Sequence, residues 1–297
     1  MTDKVSFYSE GSRIAGLLYR PERTTGRVPG IVVCCGFGGL QDSQPPAICK
    51  LLASLGYMAL SLDYRGFGES EGARGRVNPW AQTTDIKNAI SYLQTIDEVD
   101  PERIGLYGTS FGGGNVVYVA ATDKRAKCTV ATVPVANGER WLKSLRSYWQ
   151  WLDLMKRVER DRLQRVLTGQ SEMVGRFELM VPDPDTKAYY EKRFEQTHVQ
   201  SPPLALETID YVLSFKPEDY VDLIAPRPVM FIHSEDDHLV SHDESISLYR
   251  RAGEPKRLEL ISKAGHYDVY TAEAFGQVMA FTQEWFSRFL MPERSGG

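Results

Sequence analysis

At 297 residues, with 42% hydrophobic and 25% charged side chains, the chain has a globular composition and enough length to bury a core without disulfides; disordered, fibrous and disulfide-stapled classes are excluded. A formal net charge of −4 provides no general cationic field for nucleic acid or an anionic membrane, so the expected partner is a small molecule, neutral or modestly charged. No apolar run approaches the roughly 18 residues of a bilayer span, and Met1-Thr2-Asp3-Lys4 leads straight into an alternating pattern rather than a secretory signal; no membrane association and a cytoplasmic setting are expected.

Residues 5–19 alternate around Glu10-Gly11-Ser12, which predicts a hairpin of two exposed or edge strands. The continuous apolar runs at 30–35, 57–62 and 103–107 read as strands covered on both faces. Between the last two, Ile86, Ala89, Ile90 and Leu93 keep helical spacing behind an Asn78-Pro79 start. Further strands are predicted at 128–135, 229–233 and 258–261, with helices at 115–121, 242–252 and 272–290. This alternation predicts an α/β fold with a mostly parallel, doubly wound sheet.

Some ninety residues separate predicted strands 6 and 7, far more than a crossover needs. Trp141, Leu145, Tyr148, Trp149, Leu152 and Met155 form an apolar stripe there at helical spacing. Residues 138–220 are therefore expected to form a helical cap inserted in a core domain of residues 1–137 and 221–297. The basic residues Arg140, Lys143, Arg146, Lys156, Arg157, Arg160, Arg162 and Arg165 are interspersed with acids and read as a solvated helix face; no ligand is assigned to them. An exposed apolar side of the cap is a candidate surface for pairing two subunits.

Cys34, Cys35, Cys49 and Cys128 lack the paired spacing of a zinc site and read as reduced core residues, so neither metal nor redox chemistry is expected of them. The glycines of Cys35-Gly36-Phe37-Gly38-Gly39 lack the Gly-Lys-Ser/Thr of a phosphate loop, and Gly66-Phe67-Gly68 lacks dinucleotide-binding spacing. No cofactor is expected.

Gly108-Thr109-Ser110-Phe111-Gly112 follows a predicted strand and precedes a predicted helix, the setting in which Gly-x-Ser-x-Gly marks a nucleophilic serine on a strained turn. A serine hydroxyl needs a neutral imidazole to take its proton and a carboxylate to orient that imidazole. Of the five histidines, only His266 lies on a loop after the last predicted strand; His198, His233, His238 and His242 read as incidental or hydrogen-bonding residues. The acid belongs in Ser234-Glu235-Asp236-Asp237-His238, after strand 229–233. Asp237 is preferred because the loop turns apolar again three residues later, at Val240, with Asp236 as its competitor. The oxyanion of an acyl-transfer intermediate would be held by the backbone N–H groups of Phe111 and Phe37.

With these residues in place, the chain resembles the α/β-hydrolase superfamily over residues 5–290. Asp63-Tyr64-Arg65-Gly66-Phe67-Gly68-Glu69-Ser70 resembles the superfamily's Asp-x-Arg-Gly-x-Gly-x-Ser signature. Phe215-Lys216-Pro217-Glu218-Asp219-Tyr220 and Gly265-His266-Tyr267-Asp268 are similar to dienelactone-hydrolase-like and peptidase S15-like serine esterases and to fungal polyketide transferases. Cys35 departs from the histidine that many relatives carry there. Ser110 departs from the cysteine of dienelactone hydrolases and the aspartate of dehalogenases and epoxide hydrolases, so dienelactone is not implied as substrate.

The resemblance implies a serine hydrolase acting on a carboxylic ester or lactone of a small, partly hydrophobic substrate. Two alternatives stay open: the same acyl-enzyme in an acyltransferase or thioesterase, and a non-catalytic binding module of this fold.

Overall fold

The computed structural model describes residues 1–23, 26–198 and 201–291; the corresponding parts of the expected core (24–25, 292–297) and insertion (199–200) lie outside it. Ten strands and ten α-helices are present among the described residues. The first half of the chain runs β1 (Thr2–Ser9), β2 (Ser12–Tyr19), β3 (Val28–Cys34), α1 (Pro45–Ser54), β4 (Met58–Leu62), α2 (Pro79–Gln94), β5 (Val99–Thr109), α3 (Phe111–Thr122) and β6 (Ala126–Thr132). Then come α4 (Gly138–Ser144), α5 (Tyr148–Thr168), β7 (Met173–Val174), α6 (Arg176–Leu179), α7 (Pro184–Thr197), β8 (Leu204–Ala205) and α8 (Thr208–Ser214). The chain closes with β9 (Val229–Ser234), α9 (Asp243–Arg251), β10 (Lys256–Ile261) and α10 (Ala272–Leu290).

Eight strands form one sheet in the order β1-β2-β4-β3-β5-β6-β9-β10. The β1–β2 and β2–β4 pairs are antiparallel and the rest parallel, as the alternating hairpin followed by continuous apolar runs implies. Period-2 alternation divides the core between the faces. Val32, Leu106 and Phe231 pack with Ile86 and Ile90 of α2 and Val116 and Val117 of α3. On the other face Ile31, Val33, Tyr107 and Ile232 meet Ile48 and Leu52 of α1 and Phe286 and Leu290 of α10.

From β3 the chain turns one way to β4, then crosses over to β5 on the other side of β3. The direction of winding reverses there, and the loops that leave β3 and β5 diverge at their carboxyl ends, where this architecture opens a crevice. Cys34 pairs in register with Gly108, so the Gly36 loop and Ser110 emerge side by side.

Several expectations need correction. The hairpin supplies one edge strand and not two: β1 ends the sheet, while β2 pairs with both β1 and β4. Helix α1 was not anticipated, although Pro45 and Pro46 open it and Ile48, Cys49, Leu52 and Ala53 bury one face. Predicted strand 128–135 ends at Thr132, because Val133 takes a φ of +44°. The supposed continuous stripe is two helices broken at 145–147: Trp141 of α4 is 1% exposed, whereas Tyr148 and Trp149, in the first turn of α5, are 69% and 74% exposed.

The basic side chains between 140 and 165 do not simply face solvent either. Arg157 pairs with Glu172 and Glu178, Arg162 and Arg165 with Asp210, and Arg140 with Glu218 and Glu244. The segment between β6 and β9 also includes a short ladder, β7 with β8, that helical periodicity did not signal.

Candidate active site

Ser110 stands alone between β5 and α3, at φ +57° and ψ −126°. Such a backbone is strained for any residue with a side chain and is held by what surrounds it. Its N–H donates to Thr132 O at 2.9 Å and its carbonyl accepts from Gly113. The flanking glycines are required by contact: a Cβ on Gly108 would lie 2.3 Å from Gly112 O, and one on Gly112 would lie 2.3 Å from Cys35 O. The turn is thus packed against both itself and the end of β3.

Ser110 Oγ lies 3.0 Å from His266 Nε2, and His266 Nδ1 lies 2.6 Å from Asp237 Oδ2. All three side chains are buried. With Nδ1–H donating to the carboxylate, Nε2 carries the lone pair that accepts from the serine hydroxyl. Asp237 is seated by its own loop, its Oδ1 accepting from the N–H groups of Leu239 (3.0 Å) and Val240 (2.7 Å). Glu235 and Asp236 are exposed, so it is Asp237 rather than Asp236 that meets His266. Asp268 supports the other side of the pair, accepting from Gly265 N at 2.8 Å and closing the turn that carries His266.

His233 is one of the hydrogen-bonding histidines and joins this group. It is fully buried, with Nε2 2.8 Å from Val240 O and 3.4 Å from Asp237 Oδ2, and Nδ1 2.7 Å from Ser245 Oγ. Both neighbours of Nε2 are acceptors, so Nε2 carries the hydrogen and Ser245 donates to Nδ1. Burial pushes the Asp237 carboxyl upward, but His266 and His233 more than offset it and hold Asp237 below the usual carboxylate range. Only its place at the end of a buried strand could have signalled His233.

Phe111 opens α3, where an amide has no intrahelical acceptor. Among the described residues the Phe37 amide also donates to no other group of the protein. Gly36 separates Phe37 from the serine turn, and a Cβ there would sit 3.0 Å from Ser110 Cβ. The two phenyl rings meet edge to face at 5.6 Å, and Trp141 of α4 packs on both, 5.5 Å from Phe37 and 5.9 Å from Phe111. Arg176 of α6 donates from Nη1 to Phe37 O and from Nη2 to Gly38 O.

Beside Ser110 and His266 opens a cavity of about 630 Å³, lined by Phe37, Gly38 and Leu40 and by Arg176, Met180, Tyr190 and Phe194. The first set comes from the loop after β3 and the second from residues between β6 and β9. Tyr267 and Tyr270 continue the wall, with Tyr189 stacked on Tyr267 at 3.9 Å. The mixture of apolar walls and a few polar groups suits a small organic ligand. Among the described residues no group of three or more His, Cys, Asp or Glu side chains could hold a metal ion, and no helix is long and apolar enough to cross a membrane.

The remaining motifs hold structure. Asp63 accepts from Gln41 N (2.8 Å), Gln41 Nε2 (3.0 Å) and Glu69 N (3.0 Å), and a Cβ on Gly68 would fall 2.0 Å from it. Arg65 grips the buried Asp85 through Nε and Nη2. Glu218 receives Arg140, Asn137 and Ser247; its burial would raise its pKa, and these partners bring it below the ordinary glutamate value. Cys35 is buried, and all four thiols are shielded; burial raises Cys34 to about 12.

The family described as serine aminopeptidase, S33 matches residues 30–269. The quorum-quenching protein AidA of Acinetobacter baumannii is 28% identical, the match covering 96% of this chain and 94% of that protein. The polyketide transferase claH of Penicillium crustosum is 24% identical over 97% of each chain. Among solved structures, the α/β hydrolase GrgF of Penicillium sp. sh18 superposes with a TM-score of 0.83 at 21% identity, covering 98% of this chain and 99% of that one. An eight-stranded, mostly parallel sheet of this order and a family match across four-fifths of its length agree: the chain belongs to the S33 serine aminopeptidase family of α/β hydrolases.

Proposed function

We propose that the protein is a serine-dependent hydrolase of carboxylic esters or lactones working through a Ser110 acyl-enzyme. The observation that carries this reading is the buried chain from Ser110 Oγ through His266 to Asp237, with contacts of 3.0 and 2.6 Å. His266 Nε2 takes the hydroxyl proton as Ser110 Oγ attacks the substrate carbonyl. The amides of Phe37 and Phe111 receive the oxyanion, a term that typically lowers the barrier by several kcal/mol. His266 then returns the proton to the leaving oxygen. Water, deprotonated by the same imidazole, cleaves the acyl-enzyme and restores Ser110.

Residues 138–220 serve in this reading as a cap, with Trp141 packed on the oxyanion phenylalanines and α6 and α7 walling the cavity over the serine. The cavity volume fits a small, partly hydrophobic molecule. The test is labelling: a fluorophosphonate should modify the wild-type protein at the peptide containing Ser110, and fail to modify Ser110→Ala. A folded wild-type protein that resists the probe would instead support a non-catalytic binding module.

A second reading, transfer of the acyl group to an alcohol or thiol, or cleavage of a thioester, is favoured by likeness to a protein named as a polyketide transferase. The chemistry to the acyl-enzyme is the same. Partition between free acid and acylated acceptor, measured with candidate acceptors present, separates the two.

A further inference from the structure

Arg176 is 7% exposed, lines the cavity beside Ser110, and forms no ion pair with a carboxylate among the described residues. Among the described residues its guanidinium donates to the neutral carbonyls of Phe37 and Gly38, and its Nε is buried with no partner. The ring of Tyr190 lies 5.5 Å from its guanidinium carbon and adds only a weak counter-field. The acids nearby are directed elsewhere: Glu178 to Arg157 and the Gly175 amide, Glu191 toward Lys187 at 3.8 Å. A desolvated cation without a counter-charge is costly, so proteins rarely keep one where nothing will neutralise it. In a chain of net charge −4 this cavity wall is a local exception to the overall sign.

Resting on the acyl-enzyme reading above, we propose that Arg176 is the recognition group for a carboxylate carried by the substrate away from its reacting carbonyl. Ser110 abuts Gly36 and Arg176 abuts Gly38, and two residues of chain span at most about 7 Å. The carboxylate therefore lies no farther than several bonds from the reacting carbon, within reach of a short dicarboxylic half-ester. Guanidinium suits the task, since its planar fork matches a carboxylate. The same contact to Phe37 O and Gly38 O would let an occupied anion site tighten the loop that carries the Phe37 amide.

The test compares para-nitrophenyl hydrogen adipate with para-nitrophenyl methyl adipate, in which a remote methyl ester replaces the charged carboxylate. A second pair, 4-acetoxybenzoate and its methyl ester, puts the charge on the leaving side. Wild-type kcat/KM should favour the acid of one pair by roughly tenfold or more, chiefly through KM. Arg176→Gln should bring that ratio to near one, and Arg176→Lys should recover part of it. Equal rates within both pairs for wild type would overturn the proposal. So would a loss in Arg176→Gln that is the same for acid and methyl ester, the mark of a residue that only holds the Phe37 loop. If Arg176→Gln does not fold, Arg176→Lys decides: a wild-type preference that it leaves unchanged would belong to Lys187 or Arg193, which also line the cavity, and would overturn the proposal. If Ser110→Ala hydrolyses these esters as wild type does, the acyl-enzyme reading fails separately. The anion site is then judged by calorimetric titration of Ser110→Ala with adipate, where binding that weakens in Ser110→Ala/Arg176→Lys and disappears in Ser110→Ala/Arg176→Gln supports it and no binding, or binding unchanged in both, overturns it.

Discussion

The indole N–H of Trp141 donates to the carbonyl of Leu239 at 3.0 Å, and the N–H of Leu239 in turn donates to Asp237. A residue from the helix that follows β6 is therefore bonded to the loop that seats the carboxylate behind His266, while its ring packs on Phe37 and Phe111. Trp141→Phe keeps most of the packing and removes the donor, leaving a buried carbonyl unsatisfied. Thermal or urea unfolding should show a loss of about 1–3 kcal/mol, and ester hydrolysis should fall with it.

Glycine at the serine turn is demanded by backbone atoms that cannot move aside. Gly112→Ala would put a methyl group 2.3 Å from Cys35 O and 2.7 Å from Cys34 O. The turn or the end of β3 must shift, so the variant is expected to lose about 1–3 kcal/mol of stability and to react far more slowly with a fluorophosphonate. Urea unfolding and labelling rate measure the two effects separately.

Glu244 accepts from the amides of Ala136 and Asn137, both at 2.8 Å, and from Arg140, tying the start of α4 to α9. Glu244→Gln turns one acceptor atom into a donor facing other donors, and about 2–4 kcal/mol should be lost. Arg140→Met removes the other partner, but its side chain is 42% exposed and water partly compensates the acids it leaves. Its cost should be smaller, about 1–2 kcal/mol in the same unfolding assay.

Asp237 links the site to acid stability. Its pKa in the folded protein lies below the unfolded value of about 3.9, so its contribution is fully present above the unfolded pKa and is lost as pH falls through the folded one. The stability difference between wild type and Asp237→Asn should be largest above about pH 5 and narrow below about pH 4. At neutral pH the asparagine variant should fold yet lose about 10³- to 10⁴-fold in kcat, since an amide can present its NH2 to Nδ1 and stabilise the wrong tautomer.

The sheet was legible because its strands are covered on both faces and read as unbroken apolar runs, and because Ser110 stands in a local motif whose geometry follows from chain sterics. His266 and Asp237 could be narrowed by chain order, since each lies on a loop at a strand's carboxyl end. What periodicity could not show was tertiary. Tyr148 and Trp149 share an apolar stripe with Trp141 by spacing but face outward, since the neighbours that bury a helix face are set by how α4 and α5 pack. Arg176 carried no local signal at all: it meets Phe37 only because α6 is folded back over the loop after β3, 138 to 139 residues away in sequence. Helix α1 was hidden behind a glycine-rich loop, although its two prolines and buried face were present.

The central claim is that Ser110 is the nucleophile activated by His266. Steady-state hydrolysis of a short-chain para-nitrophenyl ester by wild type and Ser110→Ala, each verified as folded, addresses it most directly. The account predicts that the alanine variant loses at least about 10³-fold in kcat/KM. Activity within a few-fold of wild type would contradict it.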